Sequence, residues 1–276
     1  AGFATAPATI GSMTLGAAGA VSSGKPIGIV SGTSPGSNEP VWAVSVQGTH
    51  DSSAWAVVSA AATVPGSAVV AFAGTLNNAG SGSTSVYDSD GGAVATAAVG
   101  GGEDGYVSVV DIDGGVEWLA VVGSAATEAI EAVAATPHSV IAVGSSDGRP
   151  TIGGVDVAAA YDASAAVGII VSLNAATGAE EWGLAMGHVS DATSASLGAV
   201  AADLYNGAVV VAGEFSGGAL TVGADTLSAP AASNSHVFVA AVQLSDQSVL
   251  WSSLPLGSAS STALSALAAI SGGGGF

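Results

Sequence analysis

The sequence predicts an all-β fold: a β-propeller-like array of four-stranded antiparallel blades, three complete and one split between the two ends of the 276-residue chain. Three observations carry this reading. Tryptophans recur at Trp42, Trp118, Trp182 and Trp251, each five or six residues before a glycine (Gly48, Gly123, Gly187 and Gly257). Apolar runs ending in Gly74, Gly144 and Gly213 recur at almost the same interval of roughly 70 residues, with Gly2 in the same phase. Turn residues (Asp, Asn, Gly, Ser) stand shortly before every one of the four tryptophans. A fixed period of this length is the mark of stacked structural units.

The elements of the unit follow in order. After the post-tryptophan glycine comes a run of small apolar residues: AWAVVSAAA from Ala54, IEAVAA from Ile130, LGAVAA from Leu197 and LSALAA from Leu264. Two stretches in this phase, SAATEAIEAVAAT from Ser124 and TALSALAAI from Thr262, contain good helix formers. Gly198 in one copy, and Trp55 with two adjacent valines in another, favour strand for the phase as a whole. The glycine-ending run is the second strand. A short motif follows, Thr9-Ile10-Gly11, Thr151-Ile152-Gly153 or Thr221-Val222-Gly223, with Ser85-Val86-Tyr87 as a displaced counterpart, and it reads as a small hairpin. The segments YVSVVDIDGGVEW, IIVSLNAATGAEEW and VFVAAVQLSDQSVLW each supply a third strand, a tight turn and a fourth strand. A lone meander of four such strands buries both faces only when units stack. Residues 1–276 therefore form a single repeat domain, with units at approximately 2–73, 74–143, 144–212 and 213–276.

The split unit has its later strands near Ile10 to Val46 and its first near Leu264 to Ile270, while Gly272 to Gly275 stand where a second apolar strand is due. An unpaired sheet edge invites another strand. The expectation is a strand supplied from outside, by a continuation of the chain or by a neighbouring subunit. No leader precedes Ala1, so a processed chain or a fragment is expected.

Composition narrows the partners. Lys25 and Arg149 face 21 acidic residues, a formal net charge of −19, which disfavours nucleic acid and anionic membranes. Charged residues are only 8% of the chain, replaced by Ser, Thr, Gly and Ala, as in secreted or cell-surface structural proteins. Cysteine is absent, so no disulfide or thiolate metal site exists. No Asn-x-Ser/Thr sequon occurs, and no stretch approaches the ~18 apolar residues of a spanning helix.

Gly213-Glu214-Phe215-Ser216-Gly217, Thr221-Val222-Gly223, Val237-Phe238-Val239 and Trp251 together resemble the SBBP repeat of surface β-propellers. The resemblance covers nearly the whole chain and implies a propeller without a defined family activity. SLNAATGAEEW is also similar to the strand-turn-Trp element of quinoprotein propellers, but some 38 residues separate Gly144 from Trp182, too many for that repeat, and no quinone site is carried over.

Candidate chemistry is sparse. Gly32-Thr33-Ser34-Pro35-Gly36 has the spacing of a nucleophile elbow, but Pro35 and SNEP follow where a helix is required, so it reads as a hairpin loop. Gly100 to Gly105 fits G-x-G-x-x-G, yet a strand follows and Glu103 and Asp104 would repel a pyrophosphate. Asp111 with Asp113, and Asp88 with Asp90, pair carboxylates as a calcium loop would, without completing an EF-hand; turns are the expectation. His50, His138, His188 and His236 read as surface residues. Trp42, Trp118, Trp182 and Trp251 read as packing anchors together with Gly74, Gly144 and Gly213, whereas Trp55 breaks the phase. No catalytic residue or cofactor is expected. The sequence points to a non-enzymatic, extracellular or cell-surface scaffold that associates with itself or with other structural proteins, or alternatively to an adhesin for glycans or calcium.

Overall fold

A computed structural model describes residues 2–5, 8–10, 13–15, 26–33, 40–48, 55–77, 82–88, 93–99, 102–124, 126–148, 150–152, 155–157, 161, 165–188, 194–229 and 235–255. Every regular element among them is a strand. Grouped by blade, whose boundaries differ from those of the sequence repeat, the first contributes β1 (Gly2–Thr5), the hairpin β2 (Ala8–Ile10) and β3 (Met13–Leu15), then β4 (Pro26–Thr33) and β5 (Pro40–Gly48). The second contributes β6 (Trp55–Thr63), β7 (Val69–Asn77), β8 (Gly82–Tyr87), β9 (Ala93–Val99), β10 (Glu103–Asp111) and β11 (Val116–Val122). In the third, β12 (Glu128–Ala135), β13 (Ser139–Ser146), β14 (Thr151–Ile152), β15 (Val155–Asp156), β16 (Val167–Asn174) and β17 (Glu180–Met186) follow. The fourth holds β18 (Ala195–Asp203), β19 (Ala208–Ser216), β20 (Ala219–Val222), β21 (Asp225–Ser228), β22 (Ser235–Gln243) and β23 (Val249–Ser253).

The last three units each form the predicted four-stranded antiparallel sheet, in the orders β6-β7-β10-β11, β12-β13-β16-β17 and β18-β19-β22-β23. The first sheet departs from the prediction. It is five-stranded, β1-β4-β5-β8-β9, because the second unit's hairpin is lengthened and pairs along β5. Ser85-Val86-Tyr87 therefore lies in a sheet strand rather than a small separate hairpin. The split blade's expected first strand, near Leu264 to Ile270, lies outside the described residues.

The helix-forming composition around Ser124 gives way to strand β12, because every residue from Glu128 to Ala135 except the bulged Glu131 finds a partner on β13. Pairing and burial of Ile130 and Val133 override the local propensity of Ala and Glu.

The four sheets stack face to face, and three cores lie between them. Val44, Val58, Phe72 and Tyr106 fill the first gap, Val109, Ile130, Val140 and Ile169 the second, and Ile141, Leu197, Phe215 and Phe238 the third. Alanines such as Ala71, Ala73 and Ala142, fully buried, let the sheets approach closely. On the first sheet's other face Ile27, Ile29, Ala43 and Gln47 are buried as well.

One device recurs in all three complete sheets. The innermost strand carries a bulge, between Val58 and Ala60, Ile130 and Ala132, or Leu197 and Ala199. Opposite each bulge, the second strand places Gly74, Gly144 or Gly213. A Cβ at these glycines would run into the carbonyl oxygen of Val57, Ala129 or Ser196. The phase-defining glycines are thus required by close backbone approach.

The turns after the first and third strands gather at one rim and bond to each other. Ile112, Ala175 and Leu244 donate their N–H groups to the carbonyls of Ala68, His138 and Gly207 at 3.0, 2.8 and 3.0 Å. The opposite rim carries the small hairpins. These clasp the preceding sheet: Thr221 donates its N–H to the Gly187 carbonyl at 2.7 Å and accepts from the Gly187 N–H at 3.2 Å, and Thr84 pairs with Gly48 in the same way by register.

Gly144→Ala is expected to cost about 3 kcal/mol or more in urea denaturation, because backbone must move. Gly198→Ala, at a bulge with open space around it, should instead stabilise by about 0.5 kcal/mol. Equal effects would remove the bulge contact as the cause.

Candidate functional site

The repeated tryptophans stand on β5, β11, β17 and β23, and the first two are covered by a turn of the next sheet. Trp42 lies against Gly114 in the turn between β10 and β11, where an added Cβ would come within 2.7 Å of the Trp42 side chain. Trp118 lies in the same relation to Gly178, at 2.6 Å, and donates its indole N–H to the Ala175 carbonyl at 2.9 Å. Both glycines have positive φ, +87° and +70°. Only glycine combines that backbone with ring contact. The fourth sheet puts Gln247, φ 60°, at this position instead of glycine.

Burial follows this pattern. Trp42 and Trp118 are 9% and 7% exposed, Trp182 is half-buried, and Trp251 is 40% exposed. Trp251 thus differs from Trp42 and Trp118, and no turn of a further sheet lies over it among the described residues. Trp55 begins β6, but its side chain lies outside the described residues.

The paired aspartates separate into different roles. Asp111 Oδ1 accepts the N–H groups of Asp113 and Gly115 at 2.8 and 2.7 Å, closing the turn that covers Trp42. Asp88 follows β8, and Asp90 lies outside the described residues. Asp203 and Asp246 do the same work in the fourth sheet's turns. The Asn206 amide foremost, then the backbone N–H groups of Asn206 and Tyr205, hold the Asp203 carboxyl below its usual range. The Ser248 hydroxyl and N–H do so for Asp246.

The histidines are not uniformly at the surface. His138 is exposed in a turn, His188 is half-buried after β17, and His50 lies outside the described residues. His236 is 2% exposed, a correction to the surface reading, and packs its ring 5.6 Å from that of Phe215. Glu103 and Asp104 begin β10, with Asp104 buried, while Gly100 and Gly101 lie outside the described residues. Gly32 lies in β4 and Ser34 to Gly36 are outside. Among the described residues no three His, Cys, Asp or Glu side chains gather as a metal site.

Two polar features escaped the sequence reading. The buried Glu128 carboxylate accepts the Ser124 N–H and the hydroxyls of Ser124 and Ser146, all at 2.7 Å. A depression of about 230 Å³ between the third and fourth sheets is bordered by Ser145, Ala195, Ser196, Glu214, Phe215 and Ser235, with the Ser235 hydroxyl 3.0 Å from Glu214. Apart from the local Ser124–Glu128 contact, neither has a sequence signature, since each depends on which strands are brought together.

No protein-family model matches the chain, and no curated protein matches it. Among solved structures it is similar to BamB from Moraxella catarrhalis, at 14% sequence identity and a TM-score of 0.28, with 92% of this chain and 76% of that chain covered.

Trp118→Ala is expected to cost about 3 to 5 kcal/mol in chemical denaturation, and Trp251→Ala less than about 1 kcal/mol. Comparable losses would refute the covering-turn account. Millimolar calcium is expected to leave the melting temperature unchanged, because Asp111 already spends an oxygen on its turn. A saturable, chelator-reversible rise would assign the turn to calcium.

Proposed function

We propose that this chain is a non-enzymatic structural module of SBBP-type propeller units, displayed outside the cell and built into a larger surface or filamentous assembly. The observation that carries this reading is Trp251. Its counterparts Trp42 and Trp118 are buried beneath the next sheet, whereas Trp251 and its neighbour Leu250 remain exposed on the last outer strand. Large apolar side chains held out on a rigid strand favour contact with another molecule. A chain with 8% charged residues and no cysteine suits an exposed, sterically close-packed assembly.

A second reading, a glycan-binding adhesin, draws on the serine- and Glu214-bordered depression. Oligosaccharides that raise the melting temperature would favour it.

Immunogold electron microscopy of intact source cells, with antibodies against the purified chain, tests the leading reading. Label along a continuous external structure is expected. Label confined to the cell interior would overturn it.

A further inference from the structure

Exposed large hydrophobics are distributed unevenly over the stack. Val94 aside, those among the described residues are Val41, Ile112, Leu204, Tyr205, Leu250 and Trp251. All six lie in the turns of one rim or within three residues of them. Four belong to the fourth sheet, with Leu204 and Tyr205 in the turn between β18 and β19 and Leu250 and Trp251 at the start of β23. Tyr205 is 84% exposed. The turns that bear them are joined, since Leu244 donates its N–H to the Gly207 carbonyl at 3.0 Å and the Gln243 amide reaches the same carbonyl at 3.1 Å. The display is therefore held on a braced backbone.

Negative charge accompanies it. Asp203 ends β18 at the first of these turns and is half-buried, Asp246 stands exposed in the second, and both are held below the usual carboxylate range, so both are anionic at neutral pH. Resting on the interaction role proposed above, we infer that the turn rim of the fourth sheet docks a different protein, through a basic segment that also carries apolar side chains. Apolar residues of that segment would cover Leu204 and Leu250, and its guanidinium or ammonium groups would meet Asp203 and Asp246 and the faces of Tyr205 and Trp251.

Charge complementarity favours a basic partner over a second copy as the occupant. The chain has only Lys25 and Arg149 against 21 acidic residues. Two copies brought together at this rim would set carboxylates against carboxylates.

The test uses the full chain and a fluorescein-labelled synthetic peptide alternating arginine with leucine, read by anisotropy. Binding is expected to weaken as salt rises, to fall severalfold in Tyr205→Ser or Leu250→Ser, and to fall about tenfold in the double variant. Asp203→Asn with Asp246→Asn, which keeps the turn-closing oxygens, should flatten the salt dependence. Val94→Ser is the control and should bind normally. All of these are surface changes, and circular dichroism checks that each variant is folded; Leu204→Ser substitutes for any that is not. The inference is overturned if an arginine–serine peptide binds as well as the arginine–leucine one, or if Val94→Ser weakens binding equally. It is also overturned if sedimentation shows self-association that Leu250→Ser abolishes, since the rim then serves a second copy. None of these outcomes bears on where the immunogold label falls, so the two readings fail separately.

Discussion

The fold depends on a close approach of backbone to backbone at one point in each sheet. In the three complete sheets, a bulge on the innermost strand pushes a carbonyl toward the second strand, and a glycine faces it. The bulge bends and twists the inner strand, and it does so at the same height in every sheet. Consecutive sheets therefore share a shape and can nest with alanine-thin layers between them. In the second sheet the bulge carbonyl has a further partner, the hydroxyl of fully buried Tyr106, 2.9 Å from the Val57 oxygen. Burial pushes that phenol's pKa well up, so it stays a donor.

Stacking is then fixed at both rims by different means. At the turn rim, a side chain from one sheet meets a glycine of the next, as Trp42 meets Gly114 and Trp118 meets Gly178. At the opposite rim the link is backbone to backbone, Gly187 with Thr221 and Gly48 with Thr84. The first link depends on residue type and fades where Gln247 replaces glycine. The second depends only on strand geometry, and so tolerates the lengthening of the β8–β9 hairpin.

Much of this was legible in the sequence. Period, strand number and the turn before each tryptophan were readable because Trp, Gly and the turn formers sit in fixed phase, and each has a local physical reason to be there. The strand assignment of the Ser124 segment was readable only through its equivalents, since its own residues favour helix. What could not be read was which residues meet in the fold: the joining of β8–β9 to β5, the engagement of Glu128 by Ser146 on the paired strand and by Ser124 four residues before it, and the burial of His236 against Phe215 on the paired strand. These depend on which residues are brought opposite one another, for which the chain has no periodic signal. The exposure of Trp251 belongs here as well. Its phase matches Trp118, and only the absence of an overlying turn among the described residues separates them.

The hairpin clasps determine how the stack carries mechanical load. Because Thr221 belongs to the fourth unit yet pairs with Gly187 at the end of the third sheet's outer strand, the boundary between units in sequence is not a boundary in space. Tension along the chain meets hydrogen bonds that join neighbours before it can peel a single sheet away. The same holds between the first and second units, where Gly48 pairs with Thr84. A rod or ring of such units would resist rupture as an interlocked series, each sheet clasped by a hairpin from the one after it.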